Sequence, residues 1–441
     1  MHTSVHTSFH TLGLSEPLLR DLTAAGLLVP TPIQAQAIPP ALEGRDVIGC
    51  AQTGTGKTAA FVVPMIERLA VLPKGQPHAL ILAPTRELAL QIFGSIEKLG
   101  RSHRISATVI VGGSDMQAQI RGLRQRPDIL VATPGRLLDH MWNGTINLAP
   151  IKILVLDEAD RMLDMGFAPQ INQILDALPV ERQTLLFSAT IPTDVTRLVE
   201  ASLNGAVHVV VTPPSTTAEG VTQALHHTTS HEKPNLLVSL LEAERGTVLV
   251  FARTKSRVDR LGQTLEQAGH RVAVIHGDRS LPQRLRALDG FKRGRVRILV
   301  ATDIAARGID VANIGHVVNY DLPNCPEDYI HRIGRTARMK MTGRATSFVT
   351  FEERDQLRAI ETLLGHAVPL AEGSPRPNDR PHSRMPERPR GDRQRWGGPG
   401  EDRRQHQPSS TSYRRGSRFL RTESNGQGDV SDAYPLTGKD L

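Results

Sequence analysis

Short apolar runs alternate with amphipathic stretches along most of this 441-residue chain, and this alternation restricts the fold more than any other feature. The stretches between the runs have helical spacing, as in residues 57–69 and 256–268. Strands that alternate with helices predict parallel sheets with helices on both faces. The predicted strands are residues 46–50, 79–82, 108–111, 129–131, 153–156, 184–187, 248–251, 271–275, 297–300 and 316–318.

A stretch rich in Thr and Pro, residues 212–220, separates the two series of strands and is the predicted linker. The sequence therefore predicts one α/β domain over residues 1–211 and a second over residues 221–370.

The first helix has clear end signals. Ser15 is placed to cap it, Pro17 suits its first turn, and Gly26 can end it in a left-handed conformation.

Residues 371–441 differ from the rest in composition. They hold 14 basic against 10 acidic residues, which is half of the net charge of +8. Few apolar residues occur there and none are periodic, so a disordered basic tail is predicted. The tail is either a solubilising segment or a nonspecific RNA tether in which arginines supply charge and Trp396, Tyr413 and Phe419 supply stacking faces.

Composition excludes several classes of protein. Two cysteines, Cys50 and Cys325, cannot form a disulfide framework. No apolar run approaches the length of a membrane span, and the polar N-terminus lacks a signal-peptide core. We therefore expect a cytoplasmic protein without a membrane partner. The excess of basic over acidic residues suggests a polyanionic partner.

A glycine-rich loop follows the first predicted strand and precedes a helix, which is the context of a phosphate-binding P-loop. Backbone N–H groups of such a loop bind phosphate oxygens. Lys57 is expected to reach the β- and γ-phosphates, and the Thr58 hydroxyl to bind Mg²⁺. Ala51 stands where the usual pattern has glycine. The loop comprises Ala51, Gln52, Thr53, Gly54, Thr55, Gly56, Lys57 and Thr58.

The strand at residues 153–156 ends in Asp157-Glu158-Ala159-Asp160. A carboxylate at the end of a neighbouring parallel strand lies where the Mg²⁺ of a bound nucleotide is held. Asp157 is the predicted metal carboxylate, and Glu158 is the predicted base that orients the attacking water. An acidic helix cap would explain one of these carboxylates but not three.

The second half of the chain has no Gly-Lys-Thr loop, so it is expected to serve the nucleotide of the first half. Arg335 and Arg338 are three residues apart, which places them on one face if this segment is helical. Such a pair can stabilise charge on a transferring phosphoryl group as arginine fingers. The alternative is a surface basic patch.

These motifs resemble those of the DEAD-box RNA helicases, and the resemblance runs from about Phe9 to Phe351. It also includes Pro84-Thr85-Arg86-Glu87-Leu88-Ala89, Gly112-Gly113, Thr133-Pro134-Gly135-Arg136, Ser188-Ala189-Thr190, Phe251-Ala252-Arg253-Thr254, His276-Gly277-Asp278, Gln283 with Arg286, and 302–310. The resemblance implies two RecA-like domains that bind ATP and RNA across their cleft.

The resemblance also implies roles for single residues. In the N-terminal segment 9–37, Gln34 would read the adenine edge and Phe9 would pack near it. Gly308 and Asp310 would lie at the nucleotide, with Asp310 on the ribose hydroxyls. Ser188 and Thr190 would link Asp160 and His331 to domain closure. The implied RNA contacts are Thr85, Arg86, Gly113, Thr133 and Arg136 in the first domain, and Arg253, Thr254, Arg286 and Thr302 in the second.

Two positions depart from the family pattern. Leu27 stands where the family usually has Phe or Tyr, so stacking on adenine would be lost. Ala337 replaces a glycine of the finger motif. Neither change removes a predicted catalytic group.

The expected activity is RNA-stimulated ATP hydrolysis coupled to local, non-processive separation of short RNA duplexes, with ATP and Mg²⁺ as cofactors. RNA would be bound with little sequence preference, and proteins of ribosome assembly or RNA decay are candidate partners. The alternatives are an ATP-driven DNA helicase, an ATP-gated RNA clamp with little unwinding, and an RNA chaperone that acts through its tail alone.

Overall fold

The computed structural model describes residues 8–51, 54–190, 203–211, 220–306, 314–336, 342–372 and 374. Over these residues the chain forms two α/β domains, each with one sheet whose paired strands all run parallel. The predicted fold class is therefore confirmed for the two domains. Almost all of the predicted tail lies outside the described residues, as does most of the predicted linker.

The first domain has a seven-stranded sheet in the order β3-β4-β2-β5-β6-β1-β7. Its central strands are apolar on both faces and fully buried, as expected for a parallel sheet between two helical layers. Val47 of β1 lies between Leu185 of β6 and Val207 of β7. The strands are β1 (Val47–Cys50), β2 (Ala79–Leu82), β3 (Ala107–Ile110), β4 (Ile129–Ala132), β5 (Ile153–Asp157), β6 (Gln183–Ser188) and β7 (Val207–Val210).

Helices cover both faces of this sheet. One apolar cluster joins the sheet to α1 to α4, and another joins its opposite face to α6 to α8. A 3₁₀ turn, Phe9–Thr11, precedes the helices. The helices are α1 (Glu16–Ala24), α2 (Pro32–Leu42), α3 (Lys57–Ala70), α4 (Arg86–Leu99), α5 (Met116–Arg124), α6 (Pro134–Trp142), α7 (Ala159–Asp164) and α8 (Ala168–Asp176).

The second domain has a six-stranded sheet in the order β10-β11-β9-β12-β13-β8. The strands are β8 (Val221–His227), β9 (Val248–Phe251), β10 (Val272–Ile275), β11 (Ile298–Ala301), β12 (His316–Asn319) and β13 (Gly343–Val349). The helices are α9 (Lys233–Ala243), α10 (Lys255–Gln267), α11 (Leu281–Lys292), α12 (Asp303–Ala306), α13 (Pro326–Ile333) and α14 (Arg354–Leu364), with a 3₁₀ turn at Phe351–Glu353.

Every predicted strand is present, with ends that differ by a residue or two. The prediction omitted β7, β8 and β13. Both β7 and β8 are edge strands with mixed exposure, so they lack the continuous apolar run of a buried strand. Each of them is held by pairing with the strand beside it, β7 with β1 and β8 with β13.

One local prediction was wrong. Ser15 precedes α1, but its hydroxyl donates to Glu67 (2.7 Å) and does not cap the helix. The first residues of the predicted tail contact the second domain. The Ala371 N–H donates to the Leu225 carbonyl (2.8 Å) and the Ser374 hydroxyl accepts from the His227 N–H (3.0 Å). The open edge of β8 supplies backbone partners that composition does not reveal.

Among the described residues, no helix combines the length and the apolar character that crossing a membrane requires.

Candidate functional site

The predicted phosphate-binding loop joins the end of β1 to the start of α3, which is the expected strand–loop–helix context. Gly54 and Gly56 both have left-handed backbone conformations, with φ of 87° and 91°. A Cβ atom at Gly56 would lie 2.3 Å from the Gln34 side-chain nitrogen, so no larger residue fits there. Gln52 and Thr53 of the loop lie outside the described residues.

Lys57 is the first residue of α3 and is buried. Its ammonium group donates to the Ala51 carbonyl at 2.5 Å, which holds the side chain over the loop. The next residue, Thr58, lines the same cavity as Lys57. The loop thus presents an ammonium group and a hydroxyl side by side, which is the chemistry that a nucleotide phosphate and its metal ion require.

Gln34 connects the N-terminal segment to the loop. Its side-chain oxygen accepts from the Thr31 N–H (2.9 Å), and its nitrogen donates to the Gly56 carbonyl (3.0 Å). These bonds leave one amide N–H and one oxygen lone pair unused. A donor and an acceptor side by side match the edge of an adenine base.

Two carboxylates, Asp157 and Glu158, lie at the end of β5, and both are buried. Burial and the neighbouring Glu158 charge raise the pKa of Asp157 to about 7, although the Lys57 ammonium acts against the shift. Glu158 has a left-handed backbone with φ of 53° and forms an ion pair with Arg161.

Replacement of Asp157 by asparagine is expected to stabilise the nucleotide-free protein. Because the folded-state pKa of Asp157 lies near 7 and its ordinary value is 3.8, the wild-type protein loses unfolding free energy as the pH rises through this interval. The variant has no such loss. Thermal unfolding should show a small difference near pH 5 and a clearly higher melting temperature for Asp157→Asn near pH 8. An equal difference at both pH values would contradict the assigned pKa.

Asp160 connects β5 to the loop after β6. Its carboxylate accepts from the Thr190 N–H and hydroxyl (both 3.0 Å), and its own N–H donates to the Ser188 hydroxyl (3.3 Å). Burial alone would raise the pKa of Asp160, but these hydrogen bonds outweigh it and lower the pKa. The family resemblance also placed His331 with Asp160, Ser188 and Thr190. Nδ1 of His331 lies 3.8 Å from a carboxylate oxygen of Asp328 in its own helix.

A cavity of about 390 Å³ opens above the loop. Arg335, which belongs to the second domain and is buried, lines this cavity together with residues of the first domain. Phe9 does not line it, because its ring is buried in the core of the first domain. The cavity also contacts Leu27, one of the two departures from the family pattern. Its first-domain lining includes Leu27, Gln34, Gly54, Gly56, Lys57, Thr58, Asp157 and Glu158.

The predicted RNA contacts of the first domain lie on three neighbouring loops. Thr85 caps α4 by accepting from the Leu88 N–H (3.3 Å). The Arg86 guanidinium lies against Gly113, where a Cβ atom would approach it to 2.1 Å. Arg136, in the first turn of α6, donates to the Ser114 carbonyl (3.0 Å), which ties the start of α6 to the loop before α5. Thr133 precedes α6.

These loops are supported by a chain of buried polar groups that the sequence alone does not predict. The Val111 carbonyl accepts from the Gln119 amide (2.8 Å), and the Gln119 oxygen lies 3.0 Å from Nε2 of His140. Burial and the Arg136 charge lower the pKa of His140. A neutral ring therefore joins α5 to α6.

In the second domain, Arg253 and Thr254 lie at the start of α10. Arg253 is ion-paired with Glu353 (3.1 Å), and Thr254 caps the helix by accepting from the Arg257 N–H (3.2 Å). Thr302 is buried after β11. Arg286 is exposed on α11 and donates to the Pro282 carbonyl (3.3 Å).

The residues that join the two domains could not be recognised from the sequence alone. Arg284 of α11 is ion-paired with Glu87 of α4 at 3.0 Å, and both side chains are buried. Leu281, one turn earlier, packs into the apolar cluster of the first domain. The sequence feature that could have revealed this contact is an arginine on the apolar side of α11. Gly308, Asp310, Arg338 and Ala337 lie outside the described residues.

No cluster of three or more metal-ligating side chains occurs among the described residues. The Thr58 hydroxyl and the Asp157 carboxylate fit Mg²⁺, which prefers oxygen ligands and takes the rest of its shell from substrate phosphates and water.

A P-loop next to buried carboxylates, with an arginine from a second parallel-sheet domain, defines a two-domain P-loop nucleotide-binding protein. Residues 31–198 match the model of the DEAD/DEAH box helicase family, and residues 232–340 match that of the helicase conserved C-terminal domain. The DEAD-box ATP-dependent RNA helicase CshA of Geobacillus kaustophilus is 45% identical over 356 residues, covering 80% of this chain and 76% of the relative. The chain belongs to the DEAD-box helicase family.

Further relatives agree with this assignment. CshA of Bacillus subtilis is 45% identical and covers 80% of this chain and 72% of the relative. Dbp5 of S. cerevisiae bound to RNA and ADP BeF3 is 35% identical with a TM-score of 0.74, covering 82% of this chain and 95% of Dbp5. Mss116p bound to ssRNA and AMP-PNP is 28% identical with a TM-score of 0.77, covering 83% and 79%. The two domains are therefore RecA-like.

Proposed function

We propose that this protein is an ATP-dependent RNA helicase in which RNA stimulates ATP hydrolysis and the bound ATP drives local separation of short duplexes. The observation that carries the proposal is the position of Arg335. This arginine of the second domain lines the cavity that contains Lys57, Asp157 and Glu158 of the first. Hydrolysis therefore requires both domains to be in place.

The cavity residues have complementary roles. Gln34 recognises adenine with its unused amide N–H and oxygen, and the loop from Ala51 to Thr58 binds the phosphates. Glu158 orients the water that attacks the γ-phosphate. Arg335, together with Arg338, stabilises the charge of the transferring group. Mg²⁺ held by Thr58 and Asp157 would neutralise phosphate charge.

RNA binding follows the loops of both domains. Arg86 beside Gly113 and the linked loops at Thr133 and Arg136 present positive charge and hydroxyls, which suit phosphate and sugar oxygens. The predicted contacts Arg253, Thr254 and Arg286 continue this path on the second domain, and the buried Thr302 lies behind it. Such contacts do not read bases, so little sequence preference follows, and 2′-hydroxyl contacts favour RNA over DNA.

Closure couples the two ligands. The Glu87–Arg284 ion pair connects α4, which begins with the predicted RNA contact Arg86, to the second domain. A closed arrangement therefore aligns the RNA loops while Arg335 faces the nucleotide. Two ligands that prefer the same closed state tighten each other's binding.

The test is a steady-state ATPase assay with no nucleic acid, with single-stranded RNA, and with DNA of the same sequence. We expect RNA to raise turnover and DNA to do so much less. Equal rates in all three would contradict coupling. A short-duplex unwinding assay beside a residence-time measurement then separates a helicase from an ATP-gated clamp.

We also place the protein in the cytoplasm, with ribosome-assembly or RNA-decay proteins as partners. Co-purification of the Glu158→Gln form with its RNA and protein partners from cells tests this placement.

A further inference from the structure

A cleft of about 310 Å³ lies between α9 and α10 of the second domain, apart from the nucleotide cavity. Polar side chains form most of its lining, which includes Thr254, Ser256, Arg257, Arg260, Thr264 and Tyr320. None of these residues except Thr254 has a role in the function proposed above. The cleft therefore holds donor groups whose purpose is unexplained.

Tyr320 is the most informative of these groups. Only 5% of the residue is exposed, and its ring packs against Phe348 with ring centroids 6.1 Å apart. No hydrogen bond of its hydroxyl occurs among the described residues, although its backbone N–H and carbonyl are both paired. Burial and the nearby Asp321 charge raise the pKa of Tyr320 to about 12, so the hydroxyl keeps its proton. Because Tyr320 lines the cleft, its hydroxyl can donate to an acceptor that is bound there.

Two guanidinium groups face the same cleft. Arg257 uses one nitrogen on Asp321 (2.6 Å) and has further N–H donors in reserve. The side chain of Arg260 has no ion pair or hydrogen bond among the described residues, although both arginines act electrostatically on Tyr320. Lys233 contributes little, because Glu353 (2.7 Å) and the Tyr320 carbonyl (2.7 Å) occupy its ammonium group. The donors that remain suit an anion with several oxygens.

We propose that this cleft is a phosphate subsite for the RNA strand, and that it extends the strand's path beyond Thr254 along α10. The proposal rests on the RNA-binding function proposed above. Thr254 lines the cleft and is also a predicted RNA contact, so a strand held there has its next phosphate at the mouth of the cleft. Arg260 binds that phosphate, and the Tyr320 hydroxyl donates to one of its oxygens.

The chemistry favours a phosphodiester over a base. The Tyr320 ring is buried under Phe348 and the Lys233 side chain, so it offers no stacking face. No amide or carboxylate side chain lines the cleft to read a base edge. The subsite therefore adds affinity and salt dependence without sequence preference.

The experiment measures binding of a fluorescent twelve-nucleotide oligouridylate, with AMP-PNP and Mg²⁺, over a range of salt concentrations. The variants are Arg260→Gln and Tyr320→Phe. Arg245→Gln is the matched control, because it removes the same charge from an exposed loop of the same domain. We expect Arg260→Gln to weaken binding about fivefold and to lower the salt slope by about 0.7. Tyr320→Phe should weaken binding about threefold, and the control should match wild type.

A second measurement locates the phosphate. Oligouridylates with one neutral methylphosphonate linkage are compared at successive positions. At one position the neutral linkage should weaken wild type as much as Arg260→Gln does and should have no further effect in that variant. Additive losses at every position would overturn the proposal.

The outcomes also separate this subsite from the function itself. If wild-type ATPase is stimulated by RNA but both variants bind RNA as wild type does, the subsite is refuted and the proposed function stands. If RNA fails to stimulate wild type, the proposed function fails. If Arg260→Gln weakens binding of a polyglutamate peptide and leaves RNA binding unchanged, the cleft serves an acidic protein and the proposal is wrong.

Discussion

Replacement of Arg335 by alanine is expected to lower kcat for RNA-stimulated ATP hydrolysis by about 10³-fold, at the lower end of the range for loss of an arginine finger. Arg335 is buried and lines the cavity above Lys57 and Glu158, so its charge acts where solvent screens it little. The KM for ATP should change much less, since the loop and Gln34 remain. Steady-state and single-turnover ATPase assays measure both quantities.

Arg335→Lys serves as the conservative companion of this variant. It keeps the charge but loses the planar fork, so we expect it to recover only part of the lost rate. Thermal unfolding must show that both variants fold, because the side chain is buried. A folded Arg335→Ala protein with wild-type kcat would remove the central observation of the proposed function.

Replacement of Glu158 by glutamine is expected to lower kcat by about 10²–10⁴-fold, the range for loss of a general base. ATP and RNA binding should persist, because the amide fills the same space and removes a negative charge beside Asp157. The variant should therefore hold RNA in an ATP-dependent complex that dissociates slowly. Single-turnover hydrolysis and RNA dissociation rates measure these effects.

Glu158 also forms a buried ion pair with Arg161, and the loss of one partner of such a pair can destabilise a protein. Glutamine keeps an oxygen that accepts a hydrogen bond from Arg161, so we expect a modest fall in melting temperature. Glu97→Gln is the control, since Glu97 is an exposed residue of α4. Normal turnover in a folded Glu158→Gln protein would show that another group orients the water.

The sequence predicted most of the fold and many of the residues that line the cavity, because these are local features. A buried parallel strand is a continuous apolar run, as in β2 and β4, and it can be recognised without its partners. The phosphate loop is a single segment whose glycines and lysine carry the signal themselves. The prediction that Asp157 serves the same nucleotide as Lys57 follows from parallel strands that end at the same edge of a sheet.

Groups that act through distant partners could not be predicted. Arg284 pairs with Glu87, whereas the predicted RNA contact on the same helix is Arg286. The pairing depends on how α11 packs against α4, which the sequence does not indicate. The contact between Gln119 and His140, and the place of Tyr320 in the lining of the polar cleft, depend on residues that are far apart in sequence. The position of Phe9 could not be predicted either. Its ring is buried in the core of the first domain, whereas Leu27 lines the cavity.

The sequence by itself determined the two parallel-sheet domains and the residues of the phosphate loop and its carboxylates, because strand periodicity and loop chemistry are written within short segments. Only the tertiary structure decided that Arg335 enters the first domain's cavity, that the pKa of Asp157 rises to about 7, and that Tyr320 opens onto a polar cleft. Burial and charge proximity are properties of the packed chain, and they depend on side chains that only folding brings together.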